Sequence, residues 1–303
     1  MRVKPIDVSP RKIFQEVADA IPSESHGNII IVGSLAAGYH LLNEDSEMQV
    51  RTKDVDCVLS PHYKAVLSGR TVAESLLTAG WQPFREGSFS EPGTAETPDD
   101  MLPVVRLCPP NSKSWFLELL TEPATPNQTN RHFERLVLST GHYGLPSFRF
   151  TTLATFNAEM TEFGFRCARP EMMVLANLLE NPKIKPVTIS GSDFEGHEIK
   201  RSNKDLGRVL TIARLSSHEV MESWPDAWEE AFRNCFPDEW QRLAASTGSG
   251  LRELLNSELD FQEVYFTCIN SFLASRGVTP EQLKSTGERL LIFTIELFEE
   301  RGK

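Results

Sequence analysis

The chain has 303 residues, of which 42 are Asp or Glu and 31 are Lys or Arg, giving a formal net charge of -11. That balance excludes broad electrostatic wrapping of DNA or RNA, which needs many phosphate contacts, and leaves room only for a local basic pocket. A hydrophobic share of 40% is that of an ordinary globular protein, and the length suits two domains.

The first residues, "MRVKPIDVSPRKIFQEVADAI", hold no signal-peptide apolar core and read as an amphipathic helix after Ser9-Pro10. "NIIIVGS" reads as a strand ending at Gly33-Ser34, and "LAAGYHLL" follows with helical composition. The polar "NEDSEMQ" leads into a strand, "DVDCVL". "YKAVLSGRTVAESLLTAG" is helical, with Gly80 as its C-cap. A short strand and a loop rich in Gly, Pro and acids come next, then the apolar strands "PVVRLCP" and "SWFLELLTEP". "HYGLPSFRFTTLATFNAEMTEFGFRCARP" continues as strand and turn.

After Pro170 the character changes. "PEMMVLANLLEN" opens a helix with proline in its first turn, and nearly everything to Lys303 shows apolar spacings of three and four. The expectation is therefore α+β: a small mixed sheet flanked by helices over residues 1–169, then a helical domain over residues 170–303. No apolar run is long enough to span a bilayer, so no membrane partner is expected. Cys57, Cys108, Cys167, Cys235 and Cys268 are scattered without a C-x-x-C, which suits reduced thiols in the cytoplasm. The sequon at Asn127 carries no meaning in that compartment.

Two stretches point to chemistry. A strand that ends in a Gly-Ser turn and feeds a helix presents unpaired amides to an anion: Gly33 lets a phosphate approach and Ser34 adds a hydroxyl. Many α/β proteins use such a turn for steric reasons alone. In "RTKDVDCVL", Asp54 and Asp56 are two apart and so share one face of the strand, while Val55, Cys57 and Leu59 share the other. Two adjacent carboxylates repel, and a divalent cation such as Mg²⁺ removes the conflict while bridging to phosphate. The alternative is a pair of ordinary surface acids at a strand end. Glu118, alone among Phe116, Leu117, Leu119 and Leu120, is the candidate third ligand if its strand lies beside "DVDCVL"; otherwise it faces water at an edge.

With these residues the sequence resembles the nucleotidyltransferase superfamily related to DNA polymerase beta. Within it, "GSLAAGYHLL" followed by "RTKDVDCVL" is most similar to the AbiEii-type branch, which includes bacterial toxin nucleotidyltransferases. The resemblance implies that Gly33 and Ser34 hold nucleotide phosphates, with Lys53 beside them. It implies that Asp54 and Asp56 bind Mg²⁺, two ions with Mn²⁺ as a substitute, and that Glu118 is the third ligand and helps activate the acceptor hydroxyl. The interval between Ser34 and Asp54 exceeds the usual one, and the "NEDSE" loop absorbs the difference. A later K/R-D motif maps onto Lys204 and Asp205 as further nucleotide contacts. Asn177 stands where the branch carries a lysine, and Arg208 where it carries a second aspartate.

The implied activity is Mg²⁺-dependent transfer of an NMP from an NTP to a hydroxyl or phosphate acceptor, such as tRNA or another RNA. Two alternatives stand beside it. One is a catalytically weak or inactive module that binds a cognate antitoxin or regulator in a toxin-antitoxin or defence pair. The other is modification of a small molecule such as a cationic antibiotic. The basic residues Lys183, Lys185, Lys200, Arg201, Lys204 and Arg208 are either a phosphate contact near a cleft between the domains or a solvated surface. The seven histidines form no zinc motif. His40 is expected on the helix surface, and "STGSGL" at 246–251 is expected to be a connector because it lacks the Walker lysine.

Overall fold

A computed structural model describes residues 6–42, 49–85, 91–125, 128, 131–180, 192–194, 197–274 and 276–303. The fold is mixed α+β. The chain divides into two compact units, Met1–Arg169 and Pro170–Lys303, and the second begins with the proline that opens a helix.

The first unit opens with β1 (Ile6–Val8), α1 (Pro10–Ala20), the short α2 (Ser23–His26) and β2 (Ile29–Val32). Then come α3 (Gly33–Leu41), β3 (Val50–Thr52), β4 (Asp54–Leu59) and α4 (His62–Thr78). Ile29, Ile30 and Ile31 are fully buried on both faces of β2, as a central strand requires. β4 instead alternates, with Val55 and Cys57 buried and Asp54 and Asp56 half-exposed. Burial, with Asp56 nearby, holds the Cys57 thiol well above its ordinary value, so that face of β4 is inert core. α4 ends where Gly80 adopts φ +90, its amide donating to Leu77 O and that of Trp81 to Leu76 O.

The remaining strands are β5 (Gln82–Pro83), β6 (Arg106–Cys108), β7 (Phe116–Thr121), β8 (His132–Leu138) and β9 (Gly141–Ser147). α5 (Thr151–Ala154), β10 (Glu159–Met160) and β11 (Arg166–Cys167) complete the unit. One mixed sheet runs β10-β11-β2-β4-β7-β6-β5, with β9 pairing β7 and β8. β4 is thus central, antiparallel to β2 on one side and parallel to β7 on the other. β1 and β3 form a separate two-stranded pair that the sequence reading does not anticipate, because three-residue strands carry no readable alternation.

The second unit contains α6 (Pro170–Leu179), α7 (Arg201–Leu215), α8 (His218–Glu222), α9 (Trp224–Cys235) and α10 (Trp240–Ala244). α11 (Ser249–Asn256), α12 (Glu258–Ile269) and α13 (Pro280–Leu290) follow, and a π-helical turn, Leu291–Ile295, carries the chain into α14 (Glu296–Arg301). The unit is not purely helical: β12 (Ser192–Phe194) and β13 (His197–Ile199) pair as an antiparallel ribbon, again too short to leave a period in the sequence. Its core centres on Trp228, Phe232 and Phe298, the last two stacked at 5.5 Å, and Trp228 donates its indole N–H to Glu171 O. All five cysteines are free thiols, and no helix among the described residues is long and apolar enough to cross a membrane.

Candidate functional site

The sheet register assembles a row of side chains across four strands. Val32, the residue before Gly33, pairs with Asp56; Asp56 pairs with Glu118; Glu118 pairs with Arg106. Directly paired residues on neighbouring strands project to the same side. Asp56 and Glu118 are therefore flanking carboxylates, and Asp54 follows Asp56 on the same face one pleat along. The lone acid of β7 points at polar company because its strand lies immediately beside the acidic face of β4.

Gly33 opens α3 rather than closing the strand, so the Gly-Ser pair belongs to the first turn of the helix. Its φ is +75, a conformation that favours glycine. A Cβ at Gly33 would lie 2.8 Å from Asp56 Oδ2, so the turn and the carboxylate touch only because glycine is there. Ser34 follows as the second residue of the helix, half-exposed. Lys53 lies between β3 and β4, where its carbonyl accepts the Phe116 N–H at 3.0 Å and ties the start of β4 to β7.

Two residues that sequence reasoning does not single out fix the acids. Thr52 is buried and donates its hydroxyl to Asp54 Oδ1 at 2.8 Å. Arg106 donates Nε–H to Glu118 Oε2 at 2.5 Å and lies over the Phe116 ring, 5.3 Å from its centroid. Phe116 in turn stacks on Phe84 at 4.5 Å. The signal for Arg106 is available in "VVRLCP", a lone base in an apolar strand that complements the lone acid in "FLELL".

Asp54, Asp56 and Glu118 are the residues that could hold a hard divalent cation, since carboxylates on a shared face are its preferred donors. As arranged, no group of three or more His, Cys, Asp or Glu among the described residues is placed to hold a metal ion. Within the row, the third acid has one oxygen committed to a guanidinium. Neither protein-family models nor curated proteins give a match to this chain. Any functional reading therefore rests on the row itself.

Lys204 and Asp205 lie on α7, in the second unit. The structure groups Gly33, Ser34, Lys53, Asp54, Asp56 and Glu118 in the first unit. Asp205 is buried, with Arg201 and Arg208 each at 3.8 Å from its carboxylate, one turn before and after. Burial pushes the Asp205 carboxyl above its ordinary value, while Arg208 and Arg201 pull it down. Arg208 is thus the counter-charge of Asp205. Asn177 donates its side-chain amide to Met173 O at 2.7 Å, a bond within its own helix.

The basic cluster is likewise spent locally where it is described: Lys200 bonds Asp260 at 2.6 Å, and Arg201 and Arg208 serve Asp205. Lys183, Lys185, Asn127 and the "NEDSE" loop lie outside the described residues. In "STGSGL" the amide of Gly248 donates to Glu299 Oε1 at 2.8 Å, so an internal carboxylate takes the place a phosphate would need. His40 is not a surface histidine. Its side chain is 15% exposed, and its Nδ1 lies 3.9 Å from Glu159. The face of α3 that carries His40 is covered at that point, which helical periodicity in a short segment does not reveal.

Proposed function

We propose that the protein is a Mg²⁺-dependent nucleotidyltransferase, in which a hydroxyl or phosphate acceptor attacks the α-phosphorus of an NTP, the bond to the β-phosphate breaks, the NMP passes to the acceptor and pyrophosphate leaves. The observation that carries the reading is the register of one row: the Gly33 turn against Asp56, and Asp56 in register with Glu118. It supports a site in which phosphates meet the first amides of α3 while carboxylates face them from β4 and β7. Mg²⁺ held by Asp54 and Asp56 would supply charge neutralisation for the triphosphate. Ser34 and Gly33 would orient the phosphates, Thr52 would hold Asp54 in position, and Glu118 would accept the proton of the attacking hydroxyl. Lys53 remains a proposed nucleotide contact on the strength of the resemblance alone.

A second reading has its own observations. The Arg106–Glu118 pair and the self-contained charges around Asp205 suit a binding module of weak or no catalysis, paired with a regulatory protein. Calorimetric titration with each NTP in the presence and absence of Mg²⁺ separates the two. The enzyme reading expects Mg²⁺-dependent binding of at least one NTP; heat from none of them would favour the module.

A further inference from the structure

Arg106 is the outer member of the row. Glu118 is 15% exposed at its side chain and Arg106 is 40% exposed, so the base, not the acid, is the partner that can leave. The planar guanidinium neutralises Glu118 in the way a second cation would, and the Phe116 ring meets it in a cation–π contact. Leu107 and Leu117, the next pair along the same two strands, are apolar and buried on the opposite face of the sheet, so the charges lie only on the face that carries Asp54 and Asp56. Two lone charges of opposite sign on adjacent strands, on the Asp54–Asp56 side of the sheet, leave a row of three carboxylates in which one acid already has a cation beside it.

We propose that Arg106 is a resident cation that competes with a divalent ion for Glu118, so that ion binding at the third carboxylate requires the guanidinium to withdraw. This inference rests on the metal reading of Asp54, Asp56 and Glu118. Two consequences follow. The site holds its ion weakly at rest, because the Arg106 hydrogen bond must be given up. Removing the guanidinium strengthens ion binding, the reverse of what loss of a merely structural residue does. Asp54 and Asp56 keep their places in either state, because Thr52 and the β2–β4 ladder fix them.

The test is Mn²⁺ binding to the full chain, followed by electron paramagnetic resonance of the free ion, without nucleotide. Arg106→Gln is expected to bind Mn²⁺ about tenfold tighter than the wild type, the size of one charge-assisted hydrogen bond. Arg106→Lys, which keeps the charge but not the planar fork, is expected to fall between them. Unchanged or weaker binding by Arg106→Gln, with Asp56→Asn still losing the ion, would overturn the role of Arg106 and leave the metal reading in place. Should Arg106→Gln fail to fold, Arg106→Lys carries the decision: binding no tighter than wild type overturns the proposal. Absence of Mn²⁺ binding in the wild type and both variants overturns the metal reading and this inference together.

Discussion

Replacing Gly33 by alanine probes the closest contact in the row. The φ of +75 costs an L-residue about 1–2 kcal/mol. The new Cβ would meet Asp56 Oδ2 at 2.8 Å, well inside ordinary carbon–oxygen contact, so the carboxylate must turn or β2 and β4 must separate. Overpacking of that kind adds roughly 1–3 kcal/mol. The total, about 2–5 kcal/mol, falls on the first unit. Native-state hydrogen exchange at the amides of β2 and β4 reads that unit by itself. The two parts are separable: in an Asp56→Ala background the clash vanishes and only the backbone term survives. Gly33→Ala should therefore cost less there by about 1–3 kcal/mol. Equal costs in the two backgrounds would refute the claim that the turn and the carboxylate are in contact.

Two further predictions concern stability. Glu299 accepts both guanidinium bonds of Arg252 and the Gly248 amide while almost fully buried, so Glu299→Gln should destabilise the second unit by about 2 kcal/mol, a figure kept low because Arg252 is 38% exposed. Urea unfolding would contradict it with a change below about 0.5 kcal/mol. Burial lowers the pKa of His40 from its ordinary 6.5, so the neutral ring is favoured on folding. Its contribution is present above that value and is lost as pH falls through the lower folded value. Between pH 7.5 and pH 5.5 the wild type should lose stability relative to His40→Leu; parallel pH profiles for the two proteins would show that His40 does not titrate as described.

Much of the row can be read from the sequence. Alternation along "DVDCVL" puts Asp54 and Asp56 on one face, and a single acid among leucines marks Glu118. The register that brings Asp56 level with Glu118 cannot be read, because it depends on how β7 slides along β4, and a shift of one residue would reverse every side chain. Arg106 is marked in the same way, as a lone base in an apolar strand, but its pairing with Glu118 is set by the antiparallel register of β6 and β7, which no local pattern gives. Thr52 sits outside the strand its hydroxyl serves. In the second unit, helical spacing locates the elements but not the pairing of Asp205 with Arg201 and Arg208, which turns two apparent phosphate ligands into neighbours of a buried acid. Three-residue strands such as β1, β3, β12 and β13 leave too few alternations to be recognised.

The central claim is metal-dependent nucleotidyl transfer at the carboxylate row. Its most direct test follows transfer of label from each α-³²P NTP to total RNA or small-molecule acceptors, with Mg²⁺ or Mn²⁺, by wild-type protein and by Asp56→Asn. The account predicts label transferred by the wild type with at least one NTP, dependent on added metal and abolished in a folded Asp56→Asn variant. Transfer by Asp56→Asn at the wild-type rate would contradict it.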